Sequence, residues 1–247
     1  MYTNKVYIII KKHQETMNKT RQIHKQIRRI HKILYKNYGV QGWWPVTDKE
    51  SKRPTYKKRK KLSRNQRFEI IIGAILTQNT AWKNVEKTII ELNKKKLLDI
   101  HKIKALPLKK LSKLIKPTGY YNQKAKKIKA MIDFLKSGKE INRENLLSVW
   151  GVGPETADSI LLYAYNKPFF VIDTYTKRIL ARMGLVKSNV SYNELQHMFH
   201  KALPRNTELF KEYHALLVEH AKKYCRTKPL CDECVLKEEC KIKRSKQ

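Results

Sequence analysis

The chain has 247 residues, enough for one large domain or two small ones around a sizeable core. Lys and Arg total 55 against 21 Asp and Glu, a formal net charge of +34, so the expected partner is a polyanion, with nucleic acid ahead of a membrane surface. No apolar run reaches the roughly 18 residues that a membrane span needs, and "VYIII" at 6–10 is too short for the core of a secretory signal; a cytoplasmic protein is expected, associated with the nucleoid if the source is prokaryotic.

In chain order, "VYIII" reads either as a buried strand-like or helical edge or as an upstream stretch with no part in the fold. Residues 20–37 set Ile23, Ile27, Ile30 and Leu34 on one helical stripe. "YGVQGWWPV" follows as a loop, by its glycines and proline. Residues 49–64 carry nine Lys or Arg and no apolar stripe. They are expected to form a mobile basic insert, either attracting phosphate loosely or simply solvated.

From residue 66 the pattern is strongly helical. Phe68, Ile71, Ile72, Ile75 and Leu76 give one helix. Trp82, Val85, Ile89 and Leu92 give the next, with Thr80 as its expected N-cap. Further helical patterns cover 109–115, 122–136, 144–149, 155–166, 174–184, 192–203 and 206–224, and the one β-like stretch is "FFVID" at 169–173. The expected class is all-α, without internal repeats.

Three features carry chemistry. "SVWGVGPETADSIL" (148–161) reads as helix, tight turn, helix. Glycines 151 and 153, on either side of Val152, let a phosphate oxygen approach the backbone amides closely, and the N-terminus of the second helix adds a favourable dipole. An ordinary helix–helix turn would look the same. All four cysteines, Cys225, Cys231, Cys234 and Cys240, lie in one 16-residue stretch, which points to metal rather than disulfides. Four thiolates in one loop suit a [4Fe–4S] cluster; zinc is the alternative, though zinc sites usually pair two C-x2-C knuckles and only one is here. Finally, Asp173 opens "DTYTK", which is also a good helix start.

"GVGPETADSILLYAYNKPFFVIDTYTKRIL", "ILTQNTAWKNVEK" (75–87) and "GYYNQKAKKI" (119–128), in that order, resemble the helix-hairpin-helix glycosylases of the endonuclease III superfamily over roughly residues 66–240. The resemblance implies a two-lobed all-α fold with a C-terminal cysteine-cluster loop. Residues 66–166 would form a six-helix lobe carrying the hairpin. Residues 167–247 would form the C-terminal lobe, with 1–65 packing against it. The family's cluster loop is C-x6-C-x2-C-x5-C; this chain has one residue fewer in the first gap. The resemblance further implies DNA contacts from Gly151, Val152, Gly153, Arg226 and Lys228, and from Gln78, which would fill the hole left by a flipped nucleotide. Tyr120, in "KPTGYY" (116–121), is a candidate wedge against the opposite strand.

A glycosylase breaks the bond between a flipped base and its sugar through an oxocarbenium-like transition state. The resemblance places Asp173 as the carboxylate that stabilises this charge and orients or deprotonates a water. Family members that also cleave the strand use a lysine where this chain has Glu155, and a carboxylate cannot form a Schiff base. "GWWP" (42–45) with Trp82 resembles the 3-methyladenine glycosylase III branch, whose base pocket would here comprise the aromatic Trp43, Trp44 and Trp82 together with Glu155. Flat indoles suit a cationic methylated purine. The expectation is a monomeric, monofunctional repair glycosylase acting on alkylated purines in damaged double-stranded DNA. The alternatives are an endonuclease III-like glycosylase and lyase for oxidised pyrimidines, or a non-enzymatic hairpin DNA-binding protein.

Overall fold

The computed structural model describes residues 2–48, 51, 53–59 and 61–241. It is all-α apart from one antiparallel pair of two-residue strands. The elements are α1 (Tyr2–Tyr38), β1 (Val46–Thr47), β2 (Pro54–Thr55), α2 (Arg64–Leu76), α3 (Trp82–Lys94), α4 (Ile100–Ala105), α5 (Leu108–Leu114), α6 (Tyr121–Lys136), α7 (Arg143–Leu147), α8 (Pro154–Ser159), α9 (Thr174–Arg182), α10 (Tyr192–Ala202) and α11 (Thr207–Lys223). Residues 6–10 are helical within α1; their side chains lie outside the described residues. No described helix is long and apolar enough to cross a membrane.

The chain divides into two compact units. One comprises Gln41–Val171 with Thr207–Glu212. Its centre is α2, whose residues from Phe68 to Leu76 are all buried. A helix apolar on every side must be surrounded, and α2 packs against β1, α3, α6, α8 and the π-helical turn Ile160–Ala164 that continues α8. Its N-terminus carries a capping box, in which Ser63 and Gln66 satisfy each other's amides. At its C-terminal end the buried Lys124 donates from Nζ to Leu76 O (2.8 Å), Thr80 Oγ1 (2.7 Å) and Thr118 O (2.6 Å). That one amine ties α6 to the turn after α2 and to the loop before α6. Thr80 is part of this network, donating to Thr118 O; it does not cap α3, whose N-cap is Ala81.

The other unit comprises Met1–Val40, Ile172–Asn206 and Tyr213–Gln247. Ile27, Ile30 and Leu34 are fully buried, and α1 packs on α10. Tyr213 Oη donates to Ile27 O (2.7 Å) and Arg28 to Ala202 O (2.8 Å), fastening α1 to C-terminal elements. The N-terminal packing segment thus stops at Val40 rather than residue 65. Residues 167–171 and the start of α11 group with the hairpin helices.

Two expectations are corrected. The β-like stretch 169–173 forms no strand, and the sheet seen among the described residues joins β1 to β2. The basic insert is partly ordered: β2 pairs with β1, and Arg59 donates to Asp48, Thr55 and Val46 O. Lys57 and Arg59 together hold the Asp48 carboxyl well below the usual range. Lys49, Glu50, Lys52 and Lys60 of the insert lie outside the described residues.

Glu69, buried on α2, fixes β1 by accepting from Thr47 N and Thr47 Oγ1, both at 3.0 Å. Burial pushes its carboxyl up to about 7, and its bonds to Thr47 only partly offset this. A carboxyl raised on folding keeps its full stabilising contribution below the unfolded value near 4.5 and loses it as pH rises toward 7, by at most about 3 kcal/mol. The melting temperature of Glu69→Gln should therefore fall less than that of wild type between pH 5 and pH 7.5. Identical pH profiles would contradict this.

Candidate active site

Asp173 ends an extended, buried run and caps α9. Its Oδ1 accepts from Thr176 N at 2.7 Å. The expected helix start is therefore present at Asp173, and the cap leaves Oδ2 uninvolved in that bond. Its Oδ2 lies 3.7 Å from His214 Nε2 on α11, and both side chains are about nine-tenths buried. Burial alone would raise this carboxyl, but His214 and Thr176 outweigh it and hold it below its ordinary value. The site therefore keeps a negative charge ready in a desolvated place. The pattern on α11 carried no signal for His214, because only the approach of α11 to α9 brings it to Asp173.

Trp43, Trp44 and Trp82 come together as expected. The Trp43 and Trp82 ring centres are 4.7 Å apart and edge-to-face, and Trp44 meets Trp82 at 5.6 Å, nearly perpendicular. Tyr56 and Tyr163 extend the cluster on either side. Trp43, Trp44 and Tyr163 line a cavity with Lys57, Arg59, Asn166, Glu208 and Lys211 among its other walls. The tandem tryptophans are held by Glu212, whose carboxylate accepts from Gln41 N (2.8 Å) and Gly42 N (3.2 Å). Gly42 has φ +64°, and a Cβ there would lie 2.8 Å from Lys57 N, so only glycine fits the turn. Glu155 is not part of this cavity; it is exposed in the first turn of α8.

The hairpin turn is built as expected in outline. Gly151 has φ +81° and Lys127 packs across it, so a Cβ would meet that side chain at 2.5 Å. Gly153 is extended and exposed, with nothing within 4 Å of an added Cβ, and Pro154 opens α8. Val152 is different: it is buried, and its amide donates to Val149 O, so it presents no donor to a phosphate. Gln78 braces the turn by donating to Gly151 O (3.1 Å) and Thr156 Oγ1 (3.0 Å) and accepting from Lys127 Nζ (2.6 Å). Tyr120, at φ +45°, and Trp150 are highly exposed aromatic side chains.

The four cysteines are free thiols around one cavity, whose other walls include Ile179, Met183, Leu230 and Leu236. Burial and the three neighbouring thiols push Cys234 up. Among the described residues, no three His, Cys, Asp or Glu side chains are drawn close enough to hold a single metal ion. The donor set, four soft sulfurs around a largely apolar hollow, fits a thiolate-bound cluster. The loop is fastened from outside: Arg178 donates to Cys225 O (2.8 Å), and Arg182 donates to Cys225 Sγ (3.4 Å) and Thr227 O (3.0 Å). Arg29 pairs with Glu239 at 2.7 Å, so α1 also braces it. His220, held neutral by burial with a pKa of about 4, lies between Tyr38 Oη (2.9 Å) and Cys234 Sγ (3.6 Å). Arg226 and Lys228 are exposed on this loop.

Comparison with known proteins matches residues 72–205 to the HhH-GPD superfamily of base excision DNA repair proteins. A Methanocaldococcus jannaschii protein described as a DNA repair glycosylase is 45% identical, over 87% of this chain and 95% of its own length. Endonuclease III of Thermotoga maritima is 34% identical, over 72% and 84%. Among solved structures, an endonuclease III trapped on DNA superposes with a TM-score of 0.71 at 24% identity, covering 88% of this chain and 95% of that one. The H. pylori 3-methyladenine DNA glycosylase bound to 1,N6-ethenoadenine superposes at 0.63 with 27% identity, covering 83% and 97%. Together with a helix-hairpin-helix turn and a charged, buried Asp173 at the head of α9, these matches make the chain a member of the HhH-GPD superfamily and a DNA glycosylase of base excision repair.

Proposed function

We propose that this enzyme is a monofunctional glycosylase that releases cationic N3-alkylated purines, such as 3-methyladenine, from double-stranded DNA. The observation that carries this reading is the aromatic cluster of Trp43, Trp44 and Trp82 beside a cavity. Indole faces attract a flat cation, and the gain is largest where water is excluded. The resemblance of this cluster to the pocket of the 3-methyladenine branch supports the same assignment. The four-cysteine loop and the identity with endonuclease III favour a second reading, excision of oxidised pyrimidines.

A cationic purine also suits a site built around one carboxylate. When the C1′–N bond breaks, the bond electrons leave with the base, which departs neutral and needs no acid. Asp173 offsets the positive charge developing at C1′. The attacking water forms the new C1′–O bond and gives its proton to the carboxylate or to solvent.

Strand cleavage would need an accessible amine. Glu155 stands where the bifunctional relatives have their nucleophile. Lys124, whose pKa burial lowers to about 8, is 1% exposed, and its amine is held by three acceptors. Both features support hydrolysis without a covalent intermediate.

For the cysteine loop we infer a [4Fe–4S] cluster on Cys225, Cys231, Cys234 and Cys240, with a positioning rather than a redox role. When bound, it would supply a rigid cross-link that presents Arg226 and Lys228 to the phosphate backbone.

Four experiments test these proposals. Asp173→Asn should slow base release by about 10²–10³-fold or more while duplex affinity persists, and borohydride should trap no adduct with wild type; a trapped adduct would refute the monofunctional reading. A panel of duplexes should show 3-methyladenine released faster than thymine glycol, with the reverse order favouring the endonuclease III-like reading. Gly153→Leu has room to fold yet covers the approach to the hairpin amides, so duplex affinity should drop about tenfold, equal to about 1.4 kcal/mol. Protein purified anaerobically should be brown, with iron and inorganic sulfide in equal amounts; a colourless protein holding zinc would exclude the cluster.

A further inference from the structure

We propose that His214 is a positioning residue for Asp173, holding the carboxylate oxygen that the helix cap leaves over. The proposal rests on the reading of Asp173 as the carboxylate that faces the reacting sugar. The two oxygens of Asp173 have different surroundings. Oδ1 accepts the Thr176 amide at 2.7 Å, which fixes one end of the carboxylate to the backbone of α9. Oδ2 faces His214 Nε2 at 3.7 Å, with both side chains screened from solvent. A carboxylate held at one oxygen alone can still turn about its Cβ–Cγ bond. A second polar group facing the other oxygen restricts that rotation and favours the charged form in a desolvated place.

His214 is itself held in place. Tyr213, the preceding residue on α11, is fully buried, and its hydroxyl donates to Ile27 O at 2.7 Å. That bond fixes the rotation and height of α11 at the point where His214 leaves it. The helix cap and the imidazole thus approach the carboxylate from two different elements, α9 and α11, so neither alone sets its orientation.

Two polar substitutions separate this role from simple packing. A glutamine amide nitrogen reaches about where Nε2 lies, whereas that of asparagine stops near Nδ1. The probe is a duplex carrying whichever of 3-methyladenine, thymine glycol or hypoxanthine the wild-type enzyme releases fastest, under single-turnover conditions. Affinity is measured separately on a duplex with a tetrahydrofuran abasic analogue. His214→Asn should slow base release about 10- to 100-fold with affinity changed by less than about twofold, and His214→Gln should recover most of the rate. In the Asp173→Asn background, His214→Asn should cause no further loss. Equal rates for wild type and His214→Asn, a parallel loss of affinity, failure of His214→Gln to recover the rate, or an additional loss in the double variant would each overturn the proposal. A wild-type rate in Asp173→Asn alone would instead refute the reading of Asp173 on which it rests.

Discussion

A net charge of +34 makes the folded chain repel itself, and the fold depends on how that repulsion is contained. Some of the scarce acidic groups are placed inside or at joints. Asp158 is fully buried and takes a two-nitrogen bond from Arg143, at 2.8 and 3.3 Å. Asp48 gathers Lys57 and Arg59, Glu239 gathers Gln26 and Arg29, and Glu212 binds backbone amides. Several amines turn to carbonyls. Lys129 donates to Ile103 O, Lys104 O and Leu106 O, and Lys124 joins three segments at the end of α2. Most of these bonds go to backbone carbonyls at or near helix ends, where intrahelical partners run out. The remaining exposed Lys and Arg are left to meet a polyanion.

The same device positions the chemistry. Loops carry several of the candidate site groups, and a buried or half-buried polar side chain anchors each loop. Glu212 holds the turn before Trp43 and Trp44, Gln78 braces the hairpin, and Arg178 and Arg182 hold the cysteine loop. Asp173 is fixed by its own helix cap. A site built this way needs little reorganisation when substrate arrives, which is where electrostatic catalysis gains most. It also explains why Gln78 is engaged within the protein: its amide and carbonyl are both used to hold Gly151, Thr156 and Lys127 in register.

The proposed function gives two tasks to different groups. Backbone amides near the exposed Gly153, with Arg226 and Lys228, suit phosphate, which carries no sequence information. In that reading the indoles and Asp173 would answer to what differs between an alkylated and a normal nucleotide, namely charge on the base and weakness of its bond to the sugar. A cationic base both stacks better on indole and leaves more readily. In the proposed reading, recognition and reactivity would therefore both be favoured by one chemical property of the lesion.

By itself the sequence determined the all-α class, the hairpin, the four-cysteine loop, Asp173 at a helix start and the tryptophans at 43, 44 and 82. These are local: helical period, glycine turns, cap residues and ligand spacing are written over a few consecutive residues. The tertiary structure alone decided which distant side chains meet. His214 faces Asp173 because the fold brings α11 to the head of α9, 41 positions of chain notwithstanding. Glu212 reaches Gln41 and Gly42 across 171 and 170 positions. Arg59 folds a stretch that composition alone presents as unstructured, because Asp48 and two carbonyls offer its guanidinium partners. Val152 turns inward, and Glu155 outward, because apolar and charged side chains on one short turn divide between core and solvent. Periodicity can say which face of an element is buried; only packing says against what, and that is what gives each polar group its partner.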